Sequence, residues 1–499
     1  MYLWTTILCL LLGFLVYKLS KFYYQYYSLP PGPFPLPIIG NMLTILGDFR
    51  DNSFRKMTKK YGPIFTVYFG NTPQVFITDA DIARQVFSKP EFAGRPHNYF
   101  ATLLTNGITT SDYDNSLKAI RRVGLMATVK YSTNERLVNV AVDCVDKTVE
   151  SMLKREGPDK PIKPADYIYL TFLNILANSS FNENYNIDDK EFIKLKYVFK
   201  DIDNEFVVNS FLNEYIKPLK WFDRKVYEKK SKAYNEMREL ILKKFKTHYI
   251  DYNPDFERDL CDALIDAKNV AVRDGRQSAT YLTDDRLAMC VFEMFFGGIK
   301  TSEITFQWIL LLMAYYPEMQ IRLKQEIESK IGNRLPGHQD RQQCPYVMAF
   351  IAETLRFRNV SPYALAHKSM VDSKIENYTI PKGMILYAYQ GIILRNNLDT
   401  KYWTTANVDD FIPDRFIDTT DGTYRTTGFP AFIPFGVGRR QCLGESLAIA
   451  QLFLVLVRFI QSTQQYDIVL DSHQGLDADP NNSIVISPKN YTIVLKSKI

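Results

Sequence analysis

The segment Phe435-Gly436-Val437-Gly438-Arg439-Arg440-Gln441-Cys442-Leu443-Gly444 sets one cysteine among glycines and arginines, at the head of an apolar run from Leu443 to Ser462 with helical spacing. A thiolate at a helix N-terminus faces unpaired N–H groups and the positive end of the dipole, which stabilise its charge and moderate its electron donation. An iron-ligating thiolate needs such a setting. In a haem-thiolate centre the sulfur raises electron density at iron and favours O–O cleavage, and glycines let the loop approach the macrocycle closely. Arg440, two residues before the cysteine, is placed to pair with a propionate. A lone cysteine before an apolar helix is more often an inert core residue; the glycines and arginines set Cys442 apart from that class. Cys9, Cys144, Cys261, Cys290 and Cys344 are widely scattered, without CxxC spacing, which argues against structural zinc and a disulfide scaffold.

A second group lies in the apolar stretch 285–316, which Pro317 ends and which spans about 48 Å at helical rise. Glu293, Lys300 and Glu303 would be expensive inside a bilayer, so the stretch reads as a helix through the core. At its middle, Gly297-Gly298-Ile299-Lys300-Thr301-Ser302 spends roughly 1 kcal/mol per glycine relative to Ala. Something has to approach closely there. Gly297 and Thr301 are one turn apart and share a face, so a flat ligand can lie against Gly297 with the hydroxyl nearby. Glu353 and Arg356 also share a helix face, and Arg415 in Pro413-Asp414-Arg415-Phe416 can complete a charged cluster with them.

Taken together, these segments resemble the cytochrome P-450 family over nearly the whole chain. Phe435, Gly438, Arg440, Cys442 and Gly444 match its haem signature FxxGxRxCxG. Glu353 and Arg356 match its ExxR helix, and Pro413, Arg415 and Phe416 its PxRF segment. The resemblance implies a mainly α fold with small β-sheets, preceded by one transmembrane helix. It implies haem b on the Cys442 thiolate, with Phe435, Gly297, Arg121, His367 and Arg440 around the cofactor. Thr301, Gly298 and Lys300 fall in the oxygen-activating helix, while Glu353, Arg356 and Arg415 hold the proximal side together. The implied reaction splits O2 reductively and inserts one atom into a lipophilic substrate: a steroid, sterol, fatty acid or xenobiotic. Its electrons come from NADPH through a flavoprotein reductase, with cytochrome b5 as a further partner. The pocket is expected to be bordered by residues 95–108, 206–215, 360–366 and 483–487.

The chain departs from the family pattern twice. Lys300 stands where an Asp or Glu usually precedes the threonine, and Leu117 stands where a Trp usually precedes the propionate-binding Arg121. The first departure predicts poor coupling unless Glu303 or Glu293 neutralises Lys300; the second removes one propionate hydrogen bond. Lys300 also keeps open a haem-thiolate isomerase or peroxide-using enzyme. A non-enzymatic haem or sterol sensor is a third reading.

Several elements must position these residues. The hairpin-like pair 64–70 and 74–78 predicts a small sheet near the start, most of 117–360 has helical spacing, and short strands are expected near 375–388 and 483–496. Lys and Glu in 223–246 read as a solvated helix face. With 499 residues and no low-complexity hinge after residue 40, the chain reads as one catalytic domain over 41–499. A net charge of +6 from 61 basic and 55 acidic residues is too small and too dispersed for nucleic acid, and suits an acidic partner or an anionic membrane surface.

Residues 1–17 carry no charge, and Lys18 and Lys21 follow at once. At about 26 Å this is one span of the thinner endoplasmic reticulum bilayer, with Lys18 able to snorkel. A basic start and a small-residue cleavage site are both missing, so residues 1–27 read as an uncleaved, single-pass anchor rather than a signal peptide. Basic residues after the span place the catalytic domain in the cytosol. The proline-rich segment 28–40 reads as a stiff linker.

Overall fold

The computed structural model describes residues 2–45, 51–97, 107–193, 195–196, 215, 224–256, 258–395, 403, 407–471, 475–478 and 485–498. Of the expected pocket borders, 98–106, 206–214 and 483–484 lie outside the described residues.

Helix α1 (Tyr2–Ser28) buries none of its residues, and its length and apolarity fit a membrane anchor. The proline-rich segment behind it is docked rather than free. Asn41 Nδ2 donates to the Pro33 and Phe34 carbonyls at 3.0 and 3.1 Å, and Thr66 N–H donates to Pro31 O at 2.9 Å. Gly32 permits this approach, because a Cβ there would fall 1.9 Å from Thr66 O.

Strands β1 (Ile64–Phe69) and β2 (Thr72–Ile77) form the expected antiparallel hairpin. Both are buried almost throughout, consistent with their β-branched and aromatic content. Helix α2 (Ala80–Phe87) follows, opened by Asp79, whose carboxylate accepts from Ile82 N–H. The helical body comprises α3 (Asn115–Tyr131), α4 (Glu135–Arg155), α5 (Ala165–Phe181), α6 (Arg224–Ile250), α7 (Leu260–Arg273), α8 (Asp284–Tyr315) and α9 (Pro345–Phe357). Helix α8 starts at the Thr283 cap and stops before Pro317, within a residue of its expected span. It packs against α5 and α6, and Trp308 on it is fully buried. On α6, the Arg224–Glu228 pair at 2.9 Å supports the solvated-face reading.

Beyond α9, β3 (His367–Lys368) and β4 (Ile385–Ala388) join the first hairpin in the order β1-β2-β4-β3, with β2 and β4 parallel. Helix α10 (Glu445–Ser462) is apolar and long enough for a span, but is mostly buried against α4 and neighbouring helices. Strands β5 (Tyr466–Leu470) and β6 (Ile493–Ser497) pair antiparallel at the end of the chain.

Candidate active site

Cys442 lies just before α10, whose N-cap is Gly444. Its own N–H donates to Phe435 O at 2.9 Å and closes the loop. Gly436 and Gly438 both have φ of 79°, a left-handed conformation that favours glycine. Gly438 is doubly constrained, because a Cβ there would come 2.1 Å from Phe87 O. The loop is thus pinned to the end of α2, with Arg439 Nε donating to Ser88 O at 2.7 Å and Arg84 Nη2 to Pro430 O at 2.8 Å. Gly124 of α3 presses on the other side, where a Cβ would meet Leu443 Cδ2 and Cys290 Sγ, each at 3.1 Å.

Cys442 is exposed, yet burial among surrounding protein atoms pushes its thiol up. A residue both exposed and densely surrounded lies in a concavity of the protein, here termed the chamber. The N–H groups of Gly444 and Glu445 are directed at it, and together with the Arg121 guanidinium they counter the effect of burial.

Glu293, Gly297 and Thr301 recur every four residues along one face of α8. Gly297 is exposed although α8 is otherwise mostly buried, and a Cβ built on it meets nothing within 4 Å. Thr301 Oγ1 donates to Gly297 O at 2.6 Å. Gly298 points elsewhere: its Cβ position lies 3.1 Å from Leu176 Cδ1 of α5, which makes it a helix-packing glycine rather than a chamber-facing one.

Lys300 pairs with Glu303 at 3.2 Å, and Glu303, which also accepts from Gln307, is almost completely buried. Glu293 does not share in that pair. Its Oε2 accepts the Ile108 and Thr109 N–H groups at 2.6 and 3.0 Å, and its Oε1 is buried without a hydrogen-bond partner among the described residues. A cation aimed at Thr301 is therefore not what the geometry presents. Lys300→Glu is expected to strip Glu303 of its counter-charge and set two carboxylates one turn apart, at a cost of about 1–3 kcal/mol. Product formed per NADPH is expected to stay the same. Urea denaturation and a coupling assay check this, and improved coupling in a stable variant would place Lys300 on the chamber side.

Burial raises the Glu293 carboxyl to about 7, against the opposing Thr109 and Ile108 N–H groups. Its folded value exceeds its unfolded value, so this group's contribution is full below the unfolded value of 4.5 and is lost as pH rises to about 7. Glu293→Gln keeps an acceptor for the two N–H groups and should flatten the pH dependence of the denaturation midpoint across that window.

Three guanidinium groups cluster beside the loop. Arg440 donates to the Ala93 and Ile108 carbonyls at 2.8 and 3.0 Å and also to Ser111 O. Arg95 donates to Thr109 O at 3.0 Å and to Leu365 O and Ala366 O at 3.0 and 2.7 Å. Arg121 Nη2 reaches Gln441 O at 2.7 Å. Among the described residues, none of the three forms an ion pair at contact distance. Burial lowers Arg440 to about 10, with Arg121 adding to the effect. Burial, Arg440 and Arg121 lower Arg95. Buried His367 lies against them, its Nδ1 2.7 Å from Phe92 O and its ring 4.2 Å from that of Phe87; burial and then Arg95 hold it well below its ordinary value. Such a cluster is electrostatically incomplete and suits the two carboxylates of a haem. Arg95 was not among the cofactor residues anticipated from sequence, since Gly94-Arg95-Pro96 carries no periodic signal and only the fold brings it to Arg440. Leu117 is buried and offers no side-chain donor.

Behind the loop, Glu353 and Arg356 form a two-pronged pair at 2.6 and 2.7 Å, and Arg415 Nε reaches Glu353 Oε1 at 3.4 Å. Arg356 also donates to Val408 O and Asp410 O at 2.8 and 2.9 Å, while Ile412 N–H donates to Glu353 Oε1 at 2.7 Å. All three side chains are almost completely buried. Nearby, Asn359 Nδ2 donates to Pro434 O at 3.2 Å and ties this region to the cysteine loop.

An exposed cysteine at a helix N-terminus, near guanidinium groups that form no ion pair at contact distance among the described residues, is the arrangement a haem-thiolate oxidoreductase calls for. The Cytochrome P450 family model matches residues 30–495, and the chain belongs to that family. It is 29% identical to cytochrome P450 2C23 of Rattus norvegicus over 94% of this chain and 93% of the rat protein. It is 30% identical to cytochrome P450 2E1 of Oryctolagus cuniculus, covering 90% and 91% respectively. Identity is also 30% to a steroid 17-alpha-hydroxylase/17,20 lyase of Squalus acanthias, covering 98% and 95%. The chain is accordingly a haem-containing monooxygenase.

Proposed function

We propose that this monooxygenase acts on lipophilic substrates at the endoplasmic reticulum membrane, with Cys442 as the axial ligand and electrons delivered by an NADPH-dependent flavoprotein reductase. The observation that carries the reading is the exposed Cys442, with the Gly444 and Glu445 N–H groups directed at its sulfur. When bound, the haem supplies the redox chemistry of O2. Arg95, Arg121, Arg440 and His367 would hold its carboxylates, while Phe435 and Gly297 border it. Thr301 holds a hydroxyl proton at the Gly297 carbonyl, where it can be passed into the chamber. Lys300, paired with Glu303, serves the helix rather than the proton path.

Pocket-border residues fit an apolar ligand. Ile486 N–H donates to Val360 O at 2.9 Å and joins two of the expected border segments, and Leu365 is exposed between them. Similarity to a steroid hydroxylase keeps steroids beside fatty acids and xenobiotics as substrate classes. Exposed Lys118, Arg122 and Arg439 surround the cysteine loop and suit an acidic docking face on the reductase, or on cytochrome b5. The test is turnover of a lipid and drug panel by the full chain in reductase-containing vesicles. NADPH-dependent oxygenated product is expected, and turnover independent of NADPH would favour the isomerase or peroxide reading.

The cytosolic placement has its own check. The sequons at Asn377 and Asn490 are exposed and should remain free of sugar in cells. Asn178 carries less information because Ser180 of its sequon is fully buried, and Asn481 lies outside the described residues. Glycan on Asn377 or Asn490 would reverse the topology.

A further inference from the structure

Away from the chamber, the end of α6 meets the start of α7 at a cluster that the oxygenation reaction does not use. His248 Nε2 lies 2.9 Å from Asp259 Oδ2 and 3.2 Å from Asp262 Oδ1. These three atoms all lie within 4.8 Å of one another. Both aspartate side chains are fully buried, and that of His248 is 11% exposed, so an ion can enter at the rim. Local sequence explains the arrangement. Asp259 is the N-cap of α7, and its Oδ1 accepts the Cys261 and Asp262 N–H groups at 3.0 and 3.1 Å. Its Oδ2 is left over.

Among the described residues, neither Asp259 Oδ2 nor His248 Nε2 has a hydrogen-bond partner, although they are only 2.9 Å apart. At that distance a ring N–H aimed at the oxygen would form one. The imidazole nitrogen and one oxygen of each carboxylate thus gather in one place without a hydrogen bond between His248 and Asp259 to account for it, as ligands of a common centre do. Arg258 donates to both oxygens of Asp262, Nε to Oδ2 at 2.8 Å and Nη2 to Oδ1 at 3.0 Å, so Oδ1 would be shared between the guanidinium and the ion.

We propose that His248, Asp259 and Asp262 form a binding site for a divalent metal ion of the zinc class, which staples α6 to α7. One imidazole nitrogen with two carboxylate oxygens is a zinc-type donor set that leaves positions for water, whereas magnesium and calcium prefer oxygen throughout. The site is separate from the haem and leaves the oxygenation reaction as described.

The experiment uses chelator-treated, haem-loaded full chain titrated with zinc alone, read by calorimetry and by metal analysis after gel filtration. One equivalent of zinc is expected to bind at micromolar or lower concentration and to raise the denaturation temperature. Asp259→Asn keeps the Oδ1 cap but replaces the leftover oxygen with an amide group, and should weaken zinc binding at least about 100-fold. His248→Gln, at the rim, is the second variant and should do the same. The haem spectrum should be unchanged in both, which shows that each variant is folded. Failure of the parent protein to bind zinc at tens of micromolar, or binding that survives both substitutions, would overturn the site and mark the cluster as a plain His–Asp ion pair.

Discussion

Cys442→Ala is expected to abolish the thiolate-type spectrum of the reduced carbon monoxide complex and, with it, all NADPH-dependent product formation. Among the described residues no other sulfur can take its place. Cys290 is the cysteine that also approaches Arg121, but it is buried, its thiol is pushed far up by burial and then by Glu293, and Gly124 packs over it. Cys290→Ala therefore serves as the control and should retain the spectrum. Loss in Cys290→Ala with retention in Cys442→Ala would invert the assignment of the ligand. Removing the ligand also leaves the Gly444 and Glu445 N–H groups without the negative charge they stabilise, so cofactor retention should fall along with the spectral change.

The second large effect is structural. Glu353→Ala removes the one carboxylate shared by Arg356 and Arg415, both of which lie almost wholly out of solvent. Removing one member of a buried ionic cluster costs about 3–5 kcal/mol, because the remaining charges lose their shared buried counter-charge. That is comparable to the whole stability of many domains. Little haem-loaded protein should accumulate, and what does accumulate should unfold at a much lower denaturant concentration. Glu353→Gln retains the shape and one acceptor and should be milder. If Glu353→Ala stayed within 1 kcal/mol of the parent protein, the cluster would be no more than an ordinary surface pair in effect.

Much of this architecture is legible in the chain because its signals are local. The 285–316 stretch appears as α8, the 64–78 strands appear as β1 and β2, and the apolar run after Cys442 appears as α10. Each is specified by periodicity, a cap or a proline within its own span. What escapes is non-local. The parallel pairing of β2 with β4 joins distant segments whose sequences carry no mark of one another. Arg95 becomes part of the guanidinium cluster only when the fold brings it beside Arg440. Gly298 was grouped with Gly297 because the two adjoin, yet a helix turns about 100° per residue and sends Gly298 to α5 instead. Of the two acids the sequence offers to Lys300, Glu303 lies one turn away and pairs with it, while Glu293 turns to the Ile108 and Thr109 N–H groups.

The docking of the cysteine loop on α2 also bears on the order in which the protein can be made. Gly438 touches Phe87, Arg439 donates to Ser88, and Arg84 donates to Pro430, so the loop closes against a segment synthesised hundreds of residues earlier. Closing so long a loop is entropically costly until many intervening contacts exist to share the cost. During translation, α2 and the first hairpin wait for partners from a distant part of the chain. The helical body between them can assemble first, leaving the haem chamber among the last parts to close. Cofactor capture would then follow synthesis of the cysteine loop, with the future haem pocket open until that point.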